Sequence, residues 1–255
     1  MMTTRISVIV LLLMIGAQSY GQRWKLMRYE AHGGIGFTNV MGDIGGTAQQ
    51  DNMYGLKDIR IKGTGISIYL GGSYKFRSNM NVKASLFLGT ASGSDVNSKN
   101  AVRNYSYKTR TIEPTVQYEY YFIKDVGRAS NAIFGNRGMV SEYATFSMYA
   151  YIGAGGALAF PKLSTPSGIQ QGVETTKSFM LAPVIPVGLG AKFGIDLYRY
   201  IGVEFGKRFL FGDYIDGLNT IYSKHSDTYY AGSVFFIYKI KNTRSGKPKL
   251  LWRKI

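Results

Sequence analysis

The chain has 255 residues, with 31 lysines and arginines against 15 aspartates and glutamates, and a formal net charge of +16. Cysteine is absent, which excludes both a disulfide scaffold and a lipoprotein anchored on an acylated cysteine. The 32 glycines, 20 tyrosines and 14 phenylalanines, with only 6 prolines, favour short strands over helices.

In chain order, the first element is a secretory signal. Arg5 supplies a positive start, Ile6 to Ile15 an apolar core, and Ser19 and Gly21 the small residues of a cleavage site. Residues 1–21 are therefore expected to be removed, with the mature chain beginning at Gln22. The apolar run is shorter than the about 20 residues of a spanning helix, and no later stretch is continuously apolar over that length. A helical membrane protein is excluded. In a soluble protein the basic excess would point to nucleic acid. An exported chain meets little of it, and acidic lipid headgroups or an acidic protein surface fit better.

Period-two alternation carries the rest. In Asn81 to Gly89, Val82, Ala84, Leu86 and Leu88 share one face, opposite Asn81, Lys83, Ser85 and Gly89. From Thr111 to Phe122, Ile112, Pro114, Val116, Tyr118, Tyr120 and Phe122 oppose Thr111, Glu113, Thr115, Gln117, Glu119 and Tyr121. Such a long strand suits lipid on one face and a polar interior on the other. The same pattern predicts strands at 29–38, 61–76, 80–92, 106–123, 144–159, 180–194, 199–210 and 228–241. The expected fold is all-β, an eight-stranded antiparallel transmembrane β-barrel of the outer-membrane type spanning 22–241.

Loop lengths give the expected orientation. Connections 77–79 and 195–198 are short, as periplasmic turns are, whereas 39–60, 93–105, 160–179 and 211–227 are long and polar, as extracellular loops are. Both termini then face the periplasm, in a protein integral to the outer membrane. The connection 124–143 is long for a periplasmic turn. Aromatic clusters at Tyr118, Tyr120 and Phe122, at Tyr198 and Tyr200, and at Phe235, Phe236 and Tyr238 read as interfacial girdles. Gly153, Gly155, Gly188 and Gly190 fall on the inward face, where a narrow barrel has least room.

The inward face collects Glu30, His32, Glu113, Gln117, Glu119 and Glu204 with Lys75, Lys83, Lys192 and Arg208. Near-balanced charges in so narrow a lumen should pair into a plug, because an unpaired buried charge is costly. His225 beside Asp227, with Asp213 and Asp216 earlier in the same loop, raises an Asp/His hydrolase as the sharp alternative to a non-enzymatic barrel. The sequence carries no Cys/His metal spacing, phosphate-cradling loop or nucleophile elbow, so no catalytic, cofactor-binding or metal-binding residue is assigned.

After Tyr238 the chain carries Lys239, Lys241, Arg244, Lys247, Lys249, Arg253 and Lys254 and no acid, with Leu250, Leu251 and Trp252 set inside the basic run. A solvated or lipid-bound tail is one reading of residues 242–255. A docking segment is the other, with those ten residues as the partner-binding set and the apolar three as anchors.

Four segments also resemble the PorG-like outer-membrane proteins of the Bacteroidetes: Glu30 to Gly45 (EAHGGIGFTNVMGDIG), Asn79 to Asp95 (NMNVKASLFLGTASGSD), Arg103 to Phe122 (RNYSYKTRTIEPTVQYEYYF) and Tyr149 to Pro161 (YAYIGAGGALAFP). They cover about half the mature chain in order. The resemblance implies a non-enzymatic part of the type IX secretion machinery that tethers or positions a periplasmic ring of PorK and PorN type. Its implied partners are outer-membrane lipid and those ring proteins, without nucleic acid or small-molecule substrate. It carries no catalytic residues, and the basic tail departs from it. A small ligand-binding or transport barrel is the alternative expectation.

Overall fold

The computed structural model describes residues 25, 27–45, 63–96, 98, 102–124, 145–166, 168–169, 173–220, 226–243 and 247–248. The expected signal, nearly all of connection 124–143, His225, Arg244 and Lys249 to Lys254 lie outside the described residues. Ten strands follow in order: β1 (Tyr29–Met41), β2 (Gly65–Arg77), β3 (Met80–Ser94), β4 (Ser106–Ile123), β5 (Phe146–Ser164), β6 (Glu174–Thr176), β7 (Met180–Gly194), β8 (Arg199–Leu210), β9 (Leu218–Thr220) and β10 (Thr228–Ile240). Eight of them close into an antiparallel barrel in the order β1, β10, β8, β7, β5, β4, β3, β2, and β6 pairs with β9 in a separate two-stranded sheet.

Closure runs from Tyr29 opposite Ile240 to Met41 opposite Thr228. It leaves the barrel no open edge, so the backbone of every barrel strand is paired on both sides without help from water. Alternation then sorts the side chains. The ten inward residues expected from the sequence are all buried, none more than 7% exposed. Large apolar residues instead face outward, as with Ile35, Ile66, Leu181 and Val116 at 68%, 74%, 66% and 56% exposure. A whole belt of this kind is unstable in water and matches a bilayer.

Two aromatic assignments are corrected. Tyr118, Tyr120, Phe122, Phe236 and Tyr238 do point outward, but Tyr200 and Phe235 are buried inside the barrel. Adjacent residues on a strand face opposite ways, so Phe235 cannot share a girdle with Phe236.

The short β7–β8 connection is held by Asp196, whose Oδ1 accepts the Tyr198 and Arg199 amides at 2.7 Å each. The seam between β1 and β10 depends on two inward glycines. A Cβ on Gly34 would meet the Val234 carbonyl oxygen at 2.2 Å, and one on Gly36 would meet that of Gly232 at 2.1 Å. Gly34→Val should therefore destabilise closure by about 3 kcal/mol. Electrophoresis of unheated, detergent-solubilised protein checks this: the variant should lose the mobility difference between heated and unheated barrel.

Candidate functional site: a sealed lumen between two built rims

From the end bearing the short turns towards the end bearing the long loops, the lumen is filled in layers. At the turn end Lys239 lies over the Tyr200 ring, with Nζ 3.7 Å from its centre. Lys239 is thus turned into the barrel mouth and buried, which corrects its expected place among surface charges of the tail. Alternation explains this, since Lys239 is the last inward position of β10.

Above it the charges interlock. Lys192 Nζ lies 2.8 Å from Glu30 Oε2 and 3.5 Å from Glu119 Oε2. Lys83 Nζ lies 3.0 Å from Glu119 Oε1 and also pairs with Glu204, which accepts a further hydrogen bond from the Tyr149 hydroxyl. The Glu119 Oε2 atom also accepts from Asn81 at 3.2 Å and from Tyr121 at 2.7 Å. His32 spends its Nε2 on Ser73 at 3.1 Å, and Ser73 in turn donates to Glu30. The rings of Tyr69, Tyr149, Tyr151 and Phe235 surround the Lys83 ammonium at 5.2 to 6.0 Å. One layer up, Arg208 Nε pairs with Glu113 at 3.1 Å, and its guanidinium lies 4.7 Å from the Phe87 ring centre. Beyond that, Ala157, Ala159, Met180, Ala182, Leu210 and Ile215 make an apolar packing layer. An ion-paired plug is what the balanced inward charge led the sequence to predict.

The loop rim is a folded cap stitched by carboxylates. Asp216 accepts the Ile44 amide on Oδ2 and the Leu218 amide on Oδ1, each at 3.0 Å, so it ties the first long loop to the last. Asp227 Oδ2 accepts the Ile215 amide at 2.9 Å. Asp95 receives Gly45 N at 3.0 Å and Arg103 Nε at 2.8 Å, while Arg103 also donates to the Asp43 carbonyl at 2.9 Å. The Tyr105 hydroxyl reaches Glu174 at 3.0 Å and bonds the Gly168 carbonyl. Gly42 is needed here, because a Cβ would lie 2.7 Å from Asp216 Oδ2 and 2.8 Å from Asp227 Oδ1. Burial pushes the Asp216 carboxyl up to about 7, reinforced by Asp43 and Asp213. Burial, then the charge of Asp216, holds Asp227 well above the ordinary carboxylate range.

His225, on which the Asp/His hydrolase reading rests, lies outside the described residues, and the aspartates of that loop are engaged elsewhere. Three of the four carboxylate oxygens of Asp216 and Asp227 accept backbone amides, and the one described histidine, His32, lies in the lumen. Among the described residues, no three His, Asp or Glu side chains converge to hold a metal ion.

At the turn rim, the chain after β10 folds back. Asn242 bridges Pro248, the Thr243 amide donates to the Lys247 carbonyl at 2.7 Å, and Asn242 Nδ2 donates to the Lys25 carbonyl at 2.8 Å. Lys241 Nζ lies 4.9 Å from the Tyr198 ring centre. Of the expected docking set, Lys241 and Lys247 are thus placed on this fold-back.

No family model and no curated protein matches the chain. Solved structures do. Neisserial surface protein A is 9% identical with a TM-score of 0.44, the match covering 83% of this chain and 96% of that one. Ail, the attachment invasion locus protein of Yersinia pestis, is 12% identical with a TM-score of 0.41, over 83% and 98%. The outer membrane protein OprG from Pseudomonas aeruginosa is 12% identical with a TM-score of 0.40, over 84% and 97%.

Two outcomes follow from this geometry. Lys83→Met strands Glu119 and Glu204 without their shared cation and should cost about 3 to 5 kcal/mol, whereas Lys83→Met with Glu204→Gln should recover part of the loss. Guanidinium unfolding in micelles measures both. In the cap, the folded form holds the Asp216 proton more tightly than the unfolded chain. Its stability is therefore full below the ordinary value of 3.8 and falls as pH rises towards about 7, with Asp227 extending the loss upward. Hydrogen exchange at the Ile44, Ile215 and Leu218 amides, corrected for intrinsic rate, should lose protection over that window. Asp216→Asn should flatten the dependence.

Proposed function

We propose that this chain is a non-enzymatic outer-membrane subunit of the type IX protein secretion machinery, anchoring or positioning a periplasmic ring of PorK and PorN type. In this reading the long-loop end is extracellular and the turn end, with both termini, is periplasmic. The observation that carries it is the filled lumen: the Lys83, Lys192 and Arg208 ion pairs occupy the axis, so work is done at the rims and outer surface rather than through the barrel. The resemblance of the four sequence segments to PorG-like proteins names the machinery. The run from Lys241 to Lys254 supplies the charge to steer an acidic partner, and Leu250 to Trp252 the apolar contact.

The test is a mild-detergent pull-down of the tagged mature protein from native outer membranes, with mass spectrometry before and after a salt wash. Ring proteins should be recovered and should be weakened by salt. Deleting residues 243–255 should leave a heat-modifiable barrel in the membrane and abolish their recovery. If ring proteins still co-purify, the tail is not the contact. If the intact protein recovers none and conducts ions in planar bilayers, the ligand-binding or transport alternative replaces the scaffold.

A further inference from the structure

We propose that the outward face of β4 and β5 binds a phosphorylated membrane lipid, its phosphate held by Lys108, Arg110 and Lys162 at the loop rim and an acyl chain lying in the groove below. Lys108 and Lys162 are direct cross-strand partners, both exposed and both outward, and Arg110 is the next outward residue of β4. Like charges set directly opposite each other in a sheet repel and lower its stability. Among the described residues nothing acidic on the outer face of the barrel relieves them, since the four carboxylates of the barrel strands, Glu30, Glu113, Glu119 and Glu204, all point inward. An anion from outside the chain is the natural counter-charge, and a phosphate accepts charge-assisted hydrogen bonds from all three cations.

The clustering argues against a general belt of snorkelling lysines. Among the described strand residues at the loop end, the other outward cation is Lys207 on β8, and it packs between the Phe209 and Tyr230 rings at 5.4 and 5.5 Å. The apolar part of the ligand is chosen by what lies beneath. Going down β4 from Arg110, the outward residues are Ile112, Pro114, Val116 and Tyr118. Ala84, Pro114, Val116 and Ala154 line an open apolar groove of about 560 Å³, which Leu70 and Leu86 flank. It continues past Val82 and Ile152. Small residues hollow it out: a Cβ on Gly156, level with Pro114, would meet nothing within 4 Å. Pro114 lies about 13 Å along the strand from Arg110. That is within the roughly 15 Å depth of one hydrocarbon leaflet. Phosphate clamp and chain groove are therefore spaced as one lipid molecule is.

The proposal needs only the membrane setting of the barrel and is independent of the secretion reading, so a purified system tests it. Native mass spectrometry of the folded full mature chain, released from micelles carrying phosphatidic acid or phosphatidylcholine, reads bound lipid directly. One phosphatidic acid should be retained in preference to phosphatidylcholine. K108Q with K162Q should reduce retention about tenfold or more, by loss of charge-assisted bonds. Ala154→Phe, which fills the groove and leaves the cations in place, should reduce it as well. Unheated electrophoresis verifies that both variants still close. Equal retention of the two lipids, or retention unchanged in K108Q/K162Q, overturns the proposal. So does displacement of the lipid by millimolar inorganic phosphate, which would mark the cations as a free-phosphate site without use for the groove.

Discussion

The hydrogen-bonded seam between β1 and β10 is the constraint on which everything else depends. A bilayer offers no water to satisfy an exposed strand edge, so eight strands must close or the barrel cannot reside there. Once Tyr29 is fixed opposite Ile240, the period of two decides the face of every residue on both strands. A one-residue slip at the seam would turn Glu30 and His32 towards lipid and Ala31 towards the lumen. Gly34 and Gly36 permit the close approach at this seam, and bulk there acts on the whole topology rather than on one contact.

Closure at eight strands sets the lumen width, and width sets its chemistry. Side chains fill a barrel of this width, and the four carboxylates and the cations around them serve one another. Glu119 shows the result: it holds Lys83, Lys192, Asn81 and Tyr121 at once, joining residues from β3, β4 and β7. Aromatic rings complete the shell of Lys83 where oxygen ligands end. The layer changes from ionic to apolar towards the loop end, where Ala157, Ala159 and Ala182 leave room for Ile215 to pack from the cap.

Strand placement was legible in the sequence because the pattern is local. Residues 106–123, 180–194 and 199–210 are strands with the same bounds in the structure, and every charged residue assigned to the lumen lies there. Alternation also carries the inward placement of Tyr200, Phe235 and Lys239, where clustering by residue type points the other way. The cap was not legible. Its ties join Ile44 to Asp216 across 172 residues and Tyr105 to Glu174 across 69, and neither spacing leaves a periodic trace. The small sheet of β6 and β9 likewise depends on two loops meeting, and three-residue strands carry too little alternation to be seen.

A lumen of this kind limits where function can reside. Opening a passage would part Lys83 from Glu119 and Glu204 and Arg208 from Glu113, leaving charges buried without partners, each worth several kcal/mol. The apolar layer and the carboxylate-stitched cap would have to move as well. The surfaces that remain available are those that contact other molecules without rearrangement: the outward face, the loop rim and the turn rim. Each carries a distinct chemistry. The outward face has a cationic pair above an apolar groove, the loop rim has carboxylates already committed to backbone amides, and the turn rim has a basic fold-back beside the barrel mouth. A rigid, filled cylinder is a poor channel and a good anchor, because force or binding at one rim is transmitted through a packed core rather than dissipated in a flexible wall.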